Sequence, residues 1–509
     1  MRQALTAAFT THPSEGLAMR PSRSATQPLP GAHPLLPWLL CGLGALHFFW
    51  SLLRHRHFGS NANDLGAYES VFWSLGQRGA LNNSVERIHQ WSAHLEIGLV
   101  PLWLPYRIHP SVVWMFLLQA GCCAASGVFF ERFARGALGD PRAALACTAA
   151  MLLSGQLVFA QINDFHSITL CALPVAMMIC AVAEGRLGLL WAGALSALSL
   201  REQMGLAVCG AAAAWVLVQG RARAPAAALL AALGAGLFVA EVLWLIPHFQ
   251  GGGAFRYLEQ YQRAGGSLGA AAWLAVTQPL RLLGLLVEGH RPLYLLELTH
   301  TGLAFLALAL LAPRRLAWPL LLGAPLLVVQ LLSDKPQICQ TNHQYGAPVV
   351  PALAASVVLG LSSLYQRAPA WGRRGLALWC AGTLALLLPG VVERAAQANG
   401  PLDLSFASSP RAAALRRAFA LVPAQASVSA QDRLVAHLAD REVIHLWPDG
   451  EADDDFVVLD TEGVAHNLGD GEKQGAAAER LRGDPRFLIA LDEAGVLLLH
   501  RRRGEGGSP

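Results

Sequence analysis

Charge is scarce in this chain: 14% of its 509 residues are Asp, Glu, Lys or Arg, against 54% that are hydrophobic. With a mean hydropathy of +0.40, this excludes an ordinary soluble enzyme and indicates a polytopic membrane protein. The net charge of +4 is too small to argue for nucleic acid, and no basic tract with interleaved aromatics appears. Eight of the nine cysteines lie in apolar runs and only Cys339 in a polar loop, which excludes a disulfide framework and CxxC metal spacing. Also missing are a Ser-His-Asp order, HExxH, a Walker loop and a haem-binding pattern. Any chemistry here must come from a constellation assembled by the fold.

What is abundant is long apolar sequence. Residues 35–53 form a run longer than a signal-peptide core and without a small-residue cleavage site, so it is expected to stay as an anchor. Residues 1–34 before it, rich in Pro, Ser and Thr, are predicted to be disordered and cytoplasmic. Further spans are expected at 111–130, 143–162, 167–183, 187–200, 203–218, 226–246, 294–312, 316–332, 346–364 and 375–392. That makes about eleven transmembrane helices. Residues 95–106, with Pro101 and Pro105, and 268–287, with Pro279, are read as interfacial or re-entrant.

Arg132, Arg135, Arg142, Arg186, Arg221, Arg223, Arg314, Arg315, Arg367, Arg373 and Arg374 fall in alternate short loops, which the positive-inside rule makes cytoplasmic. Arg54 and Arg56 stand against that assignment and are outvoted. The polar segments around Asp64, Asp164, Arg201 and Lys335 then share the extracytoplasmic side of a cell inner membrane, together with the C-terminal tail. The fold class expected is an all-α polytopic membrane domain, 35–392, followed by a small α/β extracytoplasmic domain, 393–509. In the tail, strands are expected at 426–430, 456–460, 486–491 and 496–499, and helices at 412–421 and 476–482.

Ionisable residues at membrane depth are expensive to keep and therefore functional candidates. Asp164 and His166 sit between two spans; two apart, they face one way on extended backbone and could share a divalent cation, although two ligands alone make a weak metal site. Asp64 precedes a segment in which Leu65, Tyr68, Phe72 and Leu75 recur at helical spacing. It is either that helix's cap or a general base at the mouth of a membrane cavity. His94 and Glu96 open the stretch ending at Tyr106 and fit ordinary interfacial roles as well as catalytic ones. Arg201 and Glu202 read as a self-neutralising pair, or as a phosphate-binding guanidinium oriented by its neighbour. Lys335, His343 and Tyr345 belong to a solvated loop or supply donors to a leaving phosphate.

Several of these elements in order resemble the "domain of unknown function 2079" membrane proteins. They are Asp64-Leu65-Gly66 with Trp73, His94 leading to Pro101 through Tyr106, Gln119, Asp164-Phe165-His166, Arg201-Glu202, and His343-Gln344-Tyr345 before Pro348 and Pro351. In the tail, Val428-Ser429-Ala430, His437-Leu438, Arg441 and the 456–460 strand match as well. Such proteins are similar in architecture to the GT-C superfamily of membrane glycosyltransferases, which take sugar from a polyprenyl-phosphate donor. The resemblance implies a polyprenyl-phosphate sugar lipid and an acceptor as partners, with Asp64 as base. Asp64 stands alone where GT-C enzymes carry a paired acidic motif, and Arg201-Glu202 replaces a Lys-Glu. Two alternatives accompany this expectation: a transporter or flippase of a lipid-linked or small polar solute, and a non-enzymatic membrane scaffold.

Overall fold

The computed structural model describes residues 31–299, 317–397, 400–463 and 471–502, with Leu303, Leu306, Ala307 and Leu310. Most of the segment expected to be disordered, and most of the 294–312 span beyond the Arg291–Thr299 helix, lie outside these residues.

Among the described residues, five helices are long and apolar enough to cross a membrane: Leu36–Arg56, Val113–Leu138, Ser167–Glu184, Arg221–Phe249 and Pro369–Ala396. The count rises to seven if two bent pairs are each one span, and three shorter apolar helices, Leu187–Leu198, Met204–Gln219 and Leu320–Leu332, accompany them. The expected 143–162 run is one of the bent pairs: Pro141–Leu152 and Gly155–Ile162 meet at 52°. Neither stretch read as interfacial forms a straight span. Residues 97–108 make a 3-10 turn and a six-residue helix. Arg256–Thr277 and Pro279–Leu286 meet at 111°, at the proline that removes a backbone donor and clashes with the preceding turn.

Position in the bundle follows the pattern of small and large side chains. Ser167–Glu184 has 78% of its apolar window buried and forms the centre, whereas Leu36–Arg56 has 17% and shows Trp38, Leu46 and Phe49 at the periphery, as a lipid-facing helix would. Met204–Gln219 packs closely on Ala224–Ala240 through two glycines. A Cβ on Gly205 would lie 2.4 Å from the Gly234 carbonyl oxygen, so the backbones touch where a side chain would hold them apart.

The tail folds as a five-stranded mixed sheet. Two short strands, β1 (Asn82–Asn83) and β2 (Ile88–His89), precede it in the first polar loop. Its own strands are β3 (Val428–Ala430), β4 (Ile444–Leu446), β5 (Phe456–Asp460), β6 (Phe487–Glu493) and β7 (Val496–Arg501), in the order β4-β3-β5-β7-β6. β3 runs parallel to β4 and β5, and β7 antiparallel to β5 and β6. Four of the five strands were expected; β4 was not. Helices Pro410–Leu421 and Gly471–Arg482 match the two expected.

One of the tail's two apolar clusters is its own, and the other is shared. Phe58, Ala62, Ala67 and Val85 from the first polar loop join Leu415, Val428, Leu434, Val435 and Leu498 in one cluster. The loop that carries Asp64 is therefore clamped between bundle and sheet.

Candidate active site

Asp64 lies in a π-helical turn, Ala62–Gly66, that leads straight into the Ala67–Arg78 helix. No side-chain cap bond is made there, so the capping reading of Asp64 is set aside. What holds this turn is a set of contacts from distant segments. The Ala62 amide donates to Asp432 Oδ1 of the tail at 2.8 Å, and the Asn61 amide to Asp164 Oδ2 at 2.9 Å. The Asp64 carboxylate then meets His166: Nε2 lies 2.9 Å from Oδ1. His166 Nδ1 is 3.0 Å from the Asp164 carbonyl oxygen, which can only accept, so Nδ1 carries a proton. With Nε2 facing a carboxylate, the ring donates from both nitrogens as an imidazolium. Burial raises the Asp64 pKa, but the charge and hydrogen bond of His166, with Asn61 and Arg54, outweigh it and hold the carboxyl down to about 2. For His166 burial disfavours the charge and Asp64 more than restores it, so its pKa lies above the ordinary 6.5.

A second polar layer lies beside this pair, and its partners are crossed. Arg201 Nη1 bonds Glu96 at 3.1 Å, while His94 Nδ1 donates to both Glu202 oxygens at 3.2 and 3.1 Å. The expected self-neutralising Arg201–Glu202 pair is thus corrected: adjacent residues on a turn point apart, and each charge finds a partner about a hundred positions away. Glu96 also accepts from Tyr68 at 2.8 Å, Gln90 at 3.1 Å and Ser167. His94 is stacked on Tyr257, with ring centroids 4.7 Å apart and planes 4° from parallel.

These layers border one cavity of about 290 Å³, whose polar end is lined by Asp64, His94, His166, Arg201, Glu202 and Tyr345. Lys335 stands exposed on its rim and makes no ion pair among the described residues. Apolar side chains also line it: Phe238 and Val242, Leu268 and Ala271 of the bent segment, and Val329 and Leu332. A cavity with apolar lining and a few converging charges suits an amphiphile with a charged head.

The family model for predicted membrane proteins of DUF2079 matches residues 54–498. The chain belongs to this family. Two solved structures share the fold of this DUF2079 chain, both of ArnT from Cupriavidus metallidurans. The form bound to undecaprenyl phosphate aligns with a TM-score of 0.55 at 13% identity, covering 93% of this chain and 99% of that one. The apo form aligns at 0.53 and 13%, covering 91% and 97%. The chain thereby shares the fold of these two structures. No curated protein matches the chain.

The DUF2079 chain brings six of the nine sequence candidates to the cavity's polar end and Lys335 to its rim. Asp164 stands apart: 1% exposed, it is held by Arg54 at 2.7 Å. The Asp164–His166 cation pair dissolves, since one side chain turns to Arg54 and the other to Asp64. Among the described residues no three His, Cys, Asp or Glu side chains are grouped to hold a metal ion. His343 is not on the cavity wall, although its neighbours Gln344 and Tyr345 are. Burial first, then the charges of Arg394 and His166, hold its pKa below the ordinary value. Sequence reasoning passed over Tyr261 and Glu86, which also line the cavity, and gave Glu96 a bland role. No spacing rule marks them, because what unites them is their place in the fold and not a local period.

Proposed function

We propose that this protein is a membrane glycosyltransferase of the GT-C type, moving a sugar from a polyprenyl-phosphate donor to an extracytoplasmic acceptor. One observation carries the reading: Asp64 and His166, from loops 102 positions apart, are hydrogen bonded on the lining of a cavity that also has apolar side chains on its wall. The donor's hydrocarbon would lie along the Leu268, Ala271 and Val329 side, in the outer leaflet of an inner membrane, with its sugar at Asp64. Arg201 and Lys335 would face the phosphate.

In this reading the acceptor hydroxyl attacks the anomeric carbon, the bond from that carbon to the phosphate oxygen breaks, and the proton passes to Asp64. A carboxyl with a pKa near 2 is a poor base toward a ground-state alcohol. It can accept late, once bond formation to an oxocarbenium-like centre has made the hydroxyl acidic, and preorganisation by His166 keeps its lone pair in place. The phosphate leaves as a stable anion and needs no general acid, only cations beside it. The tail, residues 393–509, would select the acceptor because it packs on the Asp64 loop.

The test is Asp64→Asn in the purified full chain with a radiolabelled polyprenyl-phosphate sugar panel and envelope acceptors. Transfer should be abolished with abundance and Tm unchanged. Full transfer by that variant would remove the base, and no transfer by the wild type with any donor would remove the reading.

A further inference from the structure

Glu241 is an ionisable residue beside the cavity that no pairing described above uses. It lies inside the 29-residue apolar run Arg221–Phe249, is 4% exposed, and has no hydrogen bond or ion pair among the described residues. The helix changes form at this residue: Ala224–Ala240 is regular, Glu241–Leu245 is a π-turn, and Ile246–Phe249 is regular again. Such single π-turns are rare and recur at functional sites.

Glu241 is not itself on the cavity lining, but its helix neighbours are. Phe238 and Val242, one turn before and one residue after, both line the wall. The Gly205–Gly234 contact draws the helix following Glu202 against the helix preceding Glu241, and the Glu202 carboxylate is near enough for its charge to act on Glu241. The nearby cations are engaged elsewhere, since Arg201 pairs with Glu96 and His94 with Glu202. A carboxyl at membrane depth beside a like charge, with no donor of its own, is costly to keep. The cost is met if a ligand brings the donor.

We propose that Glu241 recognises the transferred sugar, its carboxyl accepting a hydrogen bond from a hydroxyl or an ammonium on the ring. This inference rests on the glycosyl-transfer reading and adds the residue that distinguishes a loaded donor from the spent lipid phosphate. In that reading Asp64 engages the anomeric centre, and Arg201 and Lys335 the phosphate that every donor and its product have in common; Glu241 meets what differs between sugars.

The experiment measures binding of three probes to the full chain in nanodiscs: undecaprenyl phosphate, undecaprenyl phosphoglucose and an amino-sugar counterpart. In the wild type the loaded lipid whose sugar fits should bind about tenfold more tightly than the bare one, the value of one buried hydrogen bond. Glu241→Leu should erase that gain and leave the bare lipid's affinity as it was. Glu241→Gln separates the two chemistries: it keeps the gain for a hydroxyl donor, because the amide oxygen still accepts, and loses it for an ammonium, which needs the charge. A gain that survives in Glu241→Leu overturns the assignment while leaving glycosyl transfer standing. A wild type that binds none of the three lipids overturns the transfer reading and this inference with it.

Discussion

Arg201 bonds Glu96, 105 residues before it, at 3.1 Å, and leaves its chain neighbour Glu202 to His94. Glu96 is the more deeply committed carboxylate, since Tyr68, Gln90 and Ser167 also donate to it. Removing one member of a buried pair strands the other charge, at about 3–5 kcal/mol. Glu96→Gln is therefore expected to lower Tm in detergent by several degrees and to reduce the folded yield. Glu202→Gln, whose partner His94 can become neutral, should cost clearly less. Equal losses in the two variants would contradict the crossed pairing.

The Asp64–His166 pair sets a pH window. The folded Asp64 pKa lies below its ordinary 3.8, so its contribution is present above that value and lost as pH falls toward about 2. The folded His166 pKa lies above 6.5, so its contribution is complete below 6.5 and lost as pH rises through the folded value. The Tm difference between wild type and His166→Gln should be largest near pH 5 and shrink on the alkaline side. A difference growing from pH 6 to pH 9 would mean that the imidazole is held neutral.

Much of the bundle was legible because apolar runs in lipid permit few alternatives: a run long enough to cross becomes a helix, and prolines at 101, 105 and 279 mark where it does not. The shared location of Asp64 and Asp164 was legible too, from loop charge. Arg54 was misread for a physical reason. Counted as a topology signal, it is an internal cation turned onto Asp164. The partners within the cavity were hidden because side-chain pairing across loops about a hundred residues apart leaves no local period. Glu241 is a different omission: one carboxylate inside a long apolar run is a sequence-level signal, and only its π-turn and its lack of a partner among the described residues required coordinates.

The tail and the Asp64 loop meet at a glycine. A Cβ on Gly66 would stand 3.0 Å from Val435 Cγ1 and 3.3 Å from the Ala436 amide nitrogen. The side chain can yield and the backbone cannot. Gly66→Ala should lower stability by about 1–3 kcal/mol, the usual range for overpacking, and Val435→Ala should restore part of it. Gly66→Val should push the tail off the loop, read as faster hydrogen exchange in β3 and lost transfer. Unchanged protection of β3 in Gly66→Val would mean that the interface does not depend on this contact.

Access for a lipid chain can be tested on the apolar wall itself. Ala271 lies on the cavity lining, while Ala272 beside it is exposed and off the lining. Both belong to the Leu268–Thr277 helix, so tryptophan at either position makes a similar demand on helix formation. Only at 271 does the indole start from the cavity lining. If the donor's hydrocarbon enters here, Ala271→Trp should weaken undecaprenyl phosphate binding at least tenfold, a loss of about 1.4 kcal/mol, while Ala272→Trp binds as the wild type does. Because Ala271 faces a cavity, its Tm should change little. Equal binding by both variants would move the lipid path to another face and leave the polar end of the cavity for a water-soluble ligand.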